Sequence, residues 1–224
     1  MRYWLDCEFI EDGKTIDLIS IGIVSEDGRE LYLQSVEFDE SKASPWVQEH
    51  VLSSLLVCPH MSGNCRGLYA HRDVGGQCAF RRIDNNQIIG ACTACPWRTR
   101  GQIKNEILAF MDVANYGKPE LHGWCAGYDF VALCQLFGTM MDVPQGYPHY
   151  MRDLQQELDH IGLTDEDLPP QKGTAHNALE DARHIMKLWK WLEPSPLPEL
   201  SDSEREQWGH ILSRRDVILH RDFE

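Results

Sequence analysis

Two carboxylates, Asp6 and Glu8, interrupt an otherwise apolar strand pattern near the start of the chain, in YWLDCEFIEDG at residues 3–13. Side chains two residues apart in a strand point to the same face, so the two acids stand side by side. Neighbouring like charges repel and raise each other's pKa, and a hard divalent cation with oxygen ligands relieves this. An edge strand with a solvated polar face explains the same pair, so the pair alone leaves metal binding open.

Two later motifs supply further acids and a histidine. Asp129 lies at a predicted strand-to-helix junction in AGYDFVAL, where on its own it is interpreted more simply as a helix N-cap. In HNALEDA, His176 precedes Asp181 by five positions at the start of an amphipathic helix, and each alone is an ordinary loop or surface residue. Together with Asp6 and Glu8 they make four acids with a histidine beside the last, a set whose oxygens suit divalent cations.

The elements that must position these groups are predicted from periodicity and turn residues. Three strands at 2–10, 16–24 and 29–38, separated by the Asp-Gly turns of EDGKT and SEDGR, form an antiparallel meander. Ser44 and Pro45 begin a helix that runs to residue 56. The later elements are a helix after Thr99, a strand at 120–127, and helices at 128–138, 149–162, 174–193 and 201–217. This order predicts an α/β fold with a mixed sheet, in which parallel strands complete the meander and helices flank it.

The order of the acidic motifs resembles that of the DEDDh 3′–5′ exonucleases, a family with a ribonuclease H-like fold. Those enzymes carry D-x-E, then D, then H-x-A-x-x-D, and His176, Ala178 and Asp181 match the third motif. The chain is most similar to the small bacterial 3′–5′ exoribonucleases of the polyadenylate-specific kind, through RYWLDCEFIEDGKTIDLISIGIVSEDGRELY and GYDFVALCQLFG, over 1–57 and 99–192. It departs from many of them in the second motif, where GWCAGYD lacks an Asn that they carry a few residues before the Asp.

The resemblance implies a metal-dependent 3′–5′ exoribonuclease that hydrolyses phosphodiester bonds and releases nucleoside 5′-monophosphates. Asp6, Glu8, Asp129 and Asp181 would hold two Mg²⁺ or Mn²⁺ ions roughly 3.5–4 Å apart, which activate a water and stabilise charge on the phosphate. His176 would be the general base, a role that suits histidine because this residue type titrates near neutral pH.

The same resemblance implies that the 3′-terminal nucleotide of single-stranded RNA or DNA binds close to the first strand. Phe9, just after Glu8, is a candidate for stacking on its base or sugar, although strand alternation points Phe9 away from both acids, as for a core aromatic. Two other functions stay open: a DNA exonuclease of the same family, and a non-catalytic zinc-containing nucleic-acid-binding protein. The metal site does not distinguish ribose from deoxyribose, whereas the filled catalytic positions argue against a non-catalytic protein.

A cysteine-rich insert at 58–98 falls outside the resemblance and interrupts the exonuclease domain at 1–192. QCAFRRI and QIIGAC flank DNN, so a hairpin folded about Asn85 would place Cys78 opposite Cys92. A structural Zn²⁺ would stabilise an excursion too small to build its own core, and an iron–sulfur cluster and plain thiols are the alternatives. The expected zinc ligands are Cys65, Cys78, Cys92 and Cys95, with Cys58 as the alternate for the fourth place.

Charge and hydropathy limit which binding partners and which cellular compartment we expect for this protein. The formal net charge is −14, yet residues 58–104 carry seven Lys or Arg against two Asp, so Arg81 and Arg82 of this basic segment are candidates for phosphate contacts. The longest apolar runs fall well short of the roughly 20 residues that cross a bilayer, and the N-terminus lacks the layout of a signal peptide. These features predict a cytoplasmic protein without membrane partners. The C-terminal extension at 193–224 would either close a homodimer or fold back on its own domain.

Overall fold

The computed structural model describes residues 1–56, 82–84, 87–89 and 96–193. Its centre is the predicted antiparallel meander of β1 (Arg2–Glu11), β2 (Ile16–Ser25) and β3 (Glu30–Ser35). Turns containing Gly13 and Gly28, both at positive φ, connect these strands, as the Asp-Gly signals predict. About a third of the buried apolar residues in the described ranges lie in these three strands, and β1 lies near the middle of the sheet.

Short parallel strands complete this sheet. After a separate hairpin of β4 (Arg82–Asp84) and β5 (Gln87–Ile89), β6 (Trp97–Arg98) pairs with β3. The strand β7 (Glu120–Gly123) pairs with β1, and β8 (Arg152–Asp153) pairs with β7. The strand order is therefore β6-β3-β2-β1-β7-β8. This is the mixed α/β sheet of ribonuclease H-like type that the sequence predicts.

The helices begin and end at capping residues. They are α1 (Pro45–His50), α2 (Arg100–Phe110), α3 (Val113–Tyr116), α4 (Gly127–Phe137), α5 (Leu154–Ile161) and α6 (Ala178–Leu192). The first is shorter than predicted, because the chain after it tightens into a 3₁₀ turn at Leu52–Ser54. The last begins four residues later than predicted, because the Asn177 side chain accepts the N–H of Glu180 as an N-cap. No helix in the described ranges combines the length and the apolar character that a membrane span requires.

The two faces of the meander pack against different helices. On one face Leu5, Ile21 and Ile23 are buried in a core that includes Ile107 of α2 and Leu133 of α4. On the other face α6 packs across β1 and β2. Because side chains alternate along β1, the residues between those of the core point towards α6. The side chains of residues 6 and 8 in β1 therefore point towards α6.

A glycine sets how closely that helix approaches. Gly22 lies opposite Asp6 in the β1–β2 ladder. A Cβ on Gly22 would lie 2.3 Å from backbone atoms of Ala178 and Leu179, a distance that real Cβ contacts essentially never show. The first turn of α6 therefore rests directly on the backbone of β2. This close approach needs a residue without a side chain.

The β4–β5 hairpin corrects one prediction. Arg82 pairs with Ile89 and Asp84 with Gln87, whereas folding about Asn85 would pair Arg82 with Ile88. The predicted register is wrong by one residue, because Asp84 belongs to the ladder and only two residues connect the strands, the commonest hairpin length. The proposed zinc ligands (Cys58, Cys65, Cys78, Cys92 and Cys95), Arg81 and the predicted helix at 201–217 lie outside the described residues.

Candidate active site

Three carboxylates from distant parts of the chain meet on the α6 side of the sheet. Asp6 and Glu8 come from β1 and Asp181 from the first turn of α6, and each offers an oxygen within 4.8 Å of the others. The i, i+2 spacing in β1 aligns the first two acids. The contact of α6 with Gly22 brings the third acid to them. The strand and the helix therefore meet where their acids can share a cation.

Burial raises the free energy of the ionised carboxylates in this cluster. The pKa of Asp6 is raised well above its ordinary range, first by burial and then by the charges of Asp129, Glu8 and Asp181. Burial, with repulsion from Asp181 and Asp129, raises the pKa of Glu8 to about 8. Buried like charges of this kind either take up protons or bind a cation. Without a cation, burial and mutual repulsion favour the protonated forms of these acids.

Asp129 is tied to the backbone of β1 between the first two acids. It lies in the first turn of α4, 6% exposed, and its Oδ1 accepts the N–H of Cys7 at 2.9 Å. Burial raises the pKa of Asp129 to about 7, although the hydrogen bond from Cys7 opposes this shift. The N-cap interpretation of Asp129 is wrong, because the cap position of α4 is Ala126. Asp129 instead borders the cluster as a fourth carboxyl group.

The turn that presents Asp129 is held by an acid that sequence reasoning missed. The carboxylate of Asp153 accepts the N–H groups of Cys125 at 3.0 Å and Ala126 at 2.8 Å. The same side chain caps α5 by accepting the N–H of Gln155 at 2.9 Å. Cys125 has a φ of 49°, a left-handed conformation that these bonds help to hold. The N-cap pattern of RDLQQE is a local signal that could have identified Asp153, but only as a cap.

Asp181 also has a partner that sequence reasoning missed. The side-chain amide of Gln171 donates a hydrogen bond to Oδ1 of Asp181. Burial raises the pKa of Asp181, while Gln171 and the backbone N–H of His176 oppose that shift. Gln171 follows two prolines in the segment before α6, where no periodicity indicates a role. It orients the carboxylate that α6 contributes.

His176 lies one residue before the cap of α6 and lines a cavity of about 430 Å³ together with Asp6 and Asp181. Its ring makes an edge-to-face contact with Trp46 of α1, with ring centroids 4.7 Å apart and planes at 80°. The structure therefore brings the predicted base to the same cavity as two of the acids. A second cavity of about 330 Å³ adjoins Glu8 and is lined in part by Lys42 and Trp46.

Two neighbours of the acids on β1 face the core, as alternation predicts. Cys7 is 5% exposed and packs with the apolar cluster between the sheet and α4. Phe9 packs against the same cluster and stacks on Tyr128, with ring centroids 5.9 Å apart. Phe9 also reaches the wall of the second cavity, next to Glu8. Its predicted role in stacking on a nucleotide stays a prediction.

The donor set fits a divalent cation. Carboxylate oxygens are the ligands that Mg²⁺ and Mn²⁺ prefer. Within the described part of the chain, none of the ion pairs to Lys or Arg involves Asp6, Glu8, Asp129 or Asp181. Their mutual repulsion is thus not offset by any ion pair to Lys or Arg among the described residues. The fold and this site define an α/β protein with a carboxylate cluster suited to metal binding.

Comparison with known proteins identifies the family. Residues 83–192 match the model of the Rv2179c-like 3′-5′ exoribonuclease domain. The 3′-5′ exoribonuclease Rv2179c of Mycobacterium tuberculosis strain ATCC 25618 / H37Rv is 36% identical over 190 residues, which cover 85% of this chain and 92% of the relative. The 3′-5′ exoribonuclease MT2234.1 of strain CDC 1551 / Oshkosh matches to the same extent. The chain belongs to this family of 3′-5′ exoribonucleases.

Proposed function

We propose that the chain is a metal-dependent 3′–5′ exoribonuclease of the DEDDh type, which removes nucleoside 5′-monophosphates one at a time from single-stranded RNA. The observation that carries the proposal is the convergence of Asp6, Glu8 and Asp181 within 4.8 Å, with His176 in the same cavity. Family membership supports the reaction and the direction of degradation. The described geometry supports the assignment of individual residues.

Asp6, Glu8, Asp129 and Asp181 would hold two Mg²⁺ or Mn²⁺ ions. Such ions, when bound, polarise a water and the phosphate oxygens and offset the charge that develops during hydrolysis. Asp6 and Glu8 are fixed by the ladder of β1, Asp129 by the Cys7 N–H, and Asp181 by Gln171. The acids are therefore arranged before the substrate arrives, which lowers the cost of reorganisation during the reaction.

His176 would accept the proton of the attacking water. The water oxygen forms a bond to phosphorus, and the bond from phosphorus to the 3′ oxygen of the preceding nucleotide breaks. The proton lost by the water passes to His176, and the leaving 3′ oxygen takes up a proton from solvent water. The products are a nucleoside 5′-monophosphate and an RNA shortened by one nucleotide, with a free 3′ hydroxyl.

The two cavities beside the cluster suit the two nucleotides that flank the scissile phosphate. The cavity next to Glu8 would take the 3′-terminal nucleotide, with Phe9 in its wall for stacking. The larger cavity beside Asp6 and His176 has a mainly apolar wall that includes Trp124 and Leu168, a surface suited to a nucleobase. Arg81 and Arg82 of the basic segment would contact phosphates farther along the strand.

The cysteine-rich insert would hold a structural Zn²⁺. The proposed ligands are Cys65, Cys78, Cys92 and Cys95, with Cys58 as the alternate. The spacing of the cysteines in the sequence supports this proposal. Elemental mass spectrometry of the purified protein checks it, and a zinc content near one ion per chain is expected. Iron with acid-labile sulfide, or neither metal, would contradict it.

Digestion of matched oligonucleotides tests the main proposal. We expect 5′-labelled RNA, including oligo(A), to shorten stepwise with Mg²⁺ or Mn²⁺ and to be stable in EDTA. We expect His176→Ala to slow the reaction by about 10²–10⁴-fold, the usual contribution of general acid–base catalysis. Faster cleavage of the matched DNA would identify a DNA exonuclease instead. Binding of RNA without degradation under any divalent ion would identify a non-catalytic protein.

A further inference from the structure

The proposed base sits on an unusual backbone. His176 has a φ of 64°, and it shares a positive φ with only one other non-glycine residue of the described ranges, Cys125. A residue other than glycine rarely adopts this left-handed backbone conformation. Such a residue keeps the conformation only where surrounding contacts stabilise it. The next residue, Asn177, is extended at φ −125° and is the N-cap of α6. A single left-handed residue therefore connects the incoming segment to the helix that carries Asp181.

A serine far away in the sequence holds this backbone. The hydroxyl of Ser54 donates a hydrogen bond to the carbonyl oxygen of His176 at 3.0 Å, across 122 positions of the chain. The same hydroxyl proton is shared with the carbonyl of Val51, to which the hydroxyl donates at 2.8 Å. That carbonyl already accepts the backbone N–H of Ser54 at 3.0 Å, so the 3₁₀ turn does not depend on the hydroxyl. The bond to His176 is the contact through which the hydroxyl reaches beyond its own turn.

The same part of the chain also contacts the ring of His176. Trp46, in the helix α1 that leads into the turn of Ser54, supplies the edge-to-face contact at 4.7 Å. The ring of His50, also in α1, lies edge-to-face to that of His176 with ring centroids 6.0 Å apart. Residues 45–54 thus touch the histidine once at its carbonyl and twice at its ring. These contacts from one short segment restrict both the backbone and the side-chain direction of His176. A change in either would alter where the imidazole points.

We propose that Ser54 is a positioning residue, which holds His176 in its left-handed conformation and thereby aims the imidazole at the attacking water. The inference rests on the proposed role of His176 as the base. Ser54 itself touches no reacting atom. Its effect should therefore appear in the rate of the chemical step and should disappear when the imidazole is removed.

Steady-state kinetics of hydroxyl variants test this proposal. We expect Ser54→Ala to lower kcat about 10-fold, because a misplaced catalytic group can cost up to about 100-fold, while KM stays within about twofold of the wild type. The matched control is Ser53→Ala, which removes an exposed hydroxyl that donates to the carbonyl of Glu49 in the same turn. Ser54→Thr and Ser54→Val have the same shape, so their ratio of kcat reports the hydroxyl even if packing changes.

A double substitution separates positioning from a structural role. In a His176→Ala background, adding Ser54→Ala should leave the residual kcat unchanged within about twofold, because the group that Ser54 positions is gone. Equal kcat for Ser54→Ala and Ser53→Ala, or equal kcat for the Thr and Val variants, would overturn the inference while His176 remains the base. Full activity of His176→Ala would instead overturn the role of His176 in the proposed function.

Discussion

The acids near the start of β1 are paired with arginine, whereas the acids farther along the strand are not paired with arginine in the described ranges. At its start, Arg2 pairs with Glu26 at 2.7 Å and also with Glu193. Asp6 and Glu8, farther along the same strand, have no such partner among the described ion pairs. Arginine thus forms ion pairs with the acids that lie beside the partly exposed start of the strand. Within the described ranges, the more deeply buried acids of the cluster have no ion pair to Lys or Arg.

The pKa shifts follow this division. Hydrogen bonds from Arg2 lower the pKa of Glu26, and bonds from Ser25 and Arg29 lower the pKa of Asp27 to about 2. In contrast, burial and like charges raise the pKa of Glu8 to about 8. A carboxylate stabilised by a cation loses its proton more readily, and one surrounded by acids keeps it. The comparison favours a divalent cation as the partner of the cluster, because none of the described Lys or Arg side chains pairs with these acids.

Removing one acid of the cluster should have the largest effect. We expect Asp6→Asn to reduce kcat/KM for RNA by more than 100-fold, beyond the roughly 10–100-fold loss that follows from changing outer partners of a metal site. The matched control is Asp27→Asn, whose charge is offset by Arg29 outside the site. The control should keep its activity within about twofold. Comparable losses in both variants would show that the two groups of acids do not differ in role.

Displacing α6 should break the cluster without changing an acid. Gly22→Ala places a Cβ 2.3 Å from the backbone of Ala178 and Leu179. We expect a loss of about 3 kcal/mol in the free energy of unfolding, at the upper end of overpacking effects, and a weaker affinity for Mn²⁺ by calorimetry. Gly101→Ala is the control, because a Cβ there meets nothing within 4 Å. Unchanged Mn²⁺ affinity in a folded Gly22→Ala protein would contradict the dependence of the site on this contact.

The stability of the metal-free protein should fall as the pH rises. Glu8 and Asp129 have folded-state pKa values raised to about 8 and about 7, above those of the unfolded chain. Their protonation therefore stabilises the fold at low pH, and this contribution is lost as the pH rises through about 7–8. A divalent cation binds the deprotonated acids, so its stabilising effect should grow over the same interval.

Thermal unfolding with and without Mn²⁺ measures this effect. At pH 8 and about 100 times the dissociation constant, binding contributes about 2.7 kcal/mol, which raises Tm by about 5–10 °C for a chain of this size. At pH 5.5 the gain should be clearly smaller, because protons compete for the same oxygens. An equal gain at both pH values would mean that the ion binds elsewhere.

The sequence predicts the parts of this site that depend on local geometry. The period of two along β1 correctly places Asp6 and Glu8 on one face and Cys7 on the other. The meander, its turns and the mixed sheet also follow from local patterns. The meeting of Asp181 with β1 depends instead on packing at Gly22, which no local pattern indicates. The motif order of the exonuclease family predicted that meeting, and periodicity did not.

The supporting residues could not be predicted for the same reason. Ser54, Gln171 and Asp153 act through hydrogen bonds to parts of the chain that the fold alone brings near. In the sequence they have the features of turn, loop and cap residues. The predicted register of the β4–β5 hairpin is wrong by one residue, because a two-residue and a three-residue connection differ little in composition.

The smallest effect is expected at the start of β1. Glu26→Gln removes the charge that pairs with Arg2 while keeping the side chain's size. Because this pair is partly exposed to solvent, the loss in free energy of unfolding should stay below about 1 kcal/mol, and kcat/KM should not change. Chemical denaturation at 0.05 M and 0.5 M salt checks this, since screening should reduce the difference further. A loss comparable to that of Gly22→Ala would show that the paired acids, and not only the unpaired ones, determine the architecture of the site.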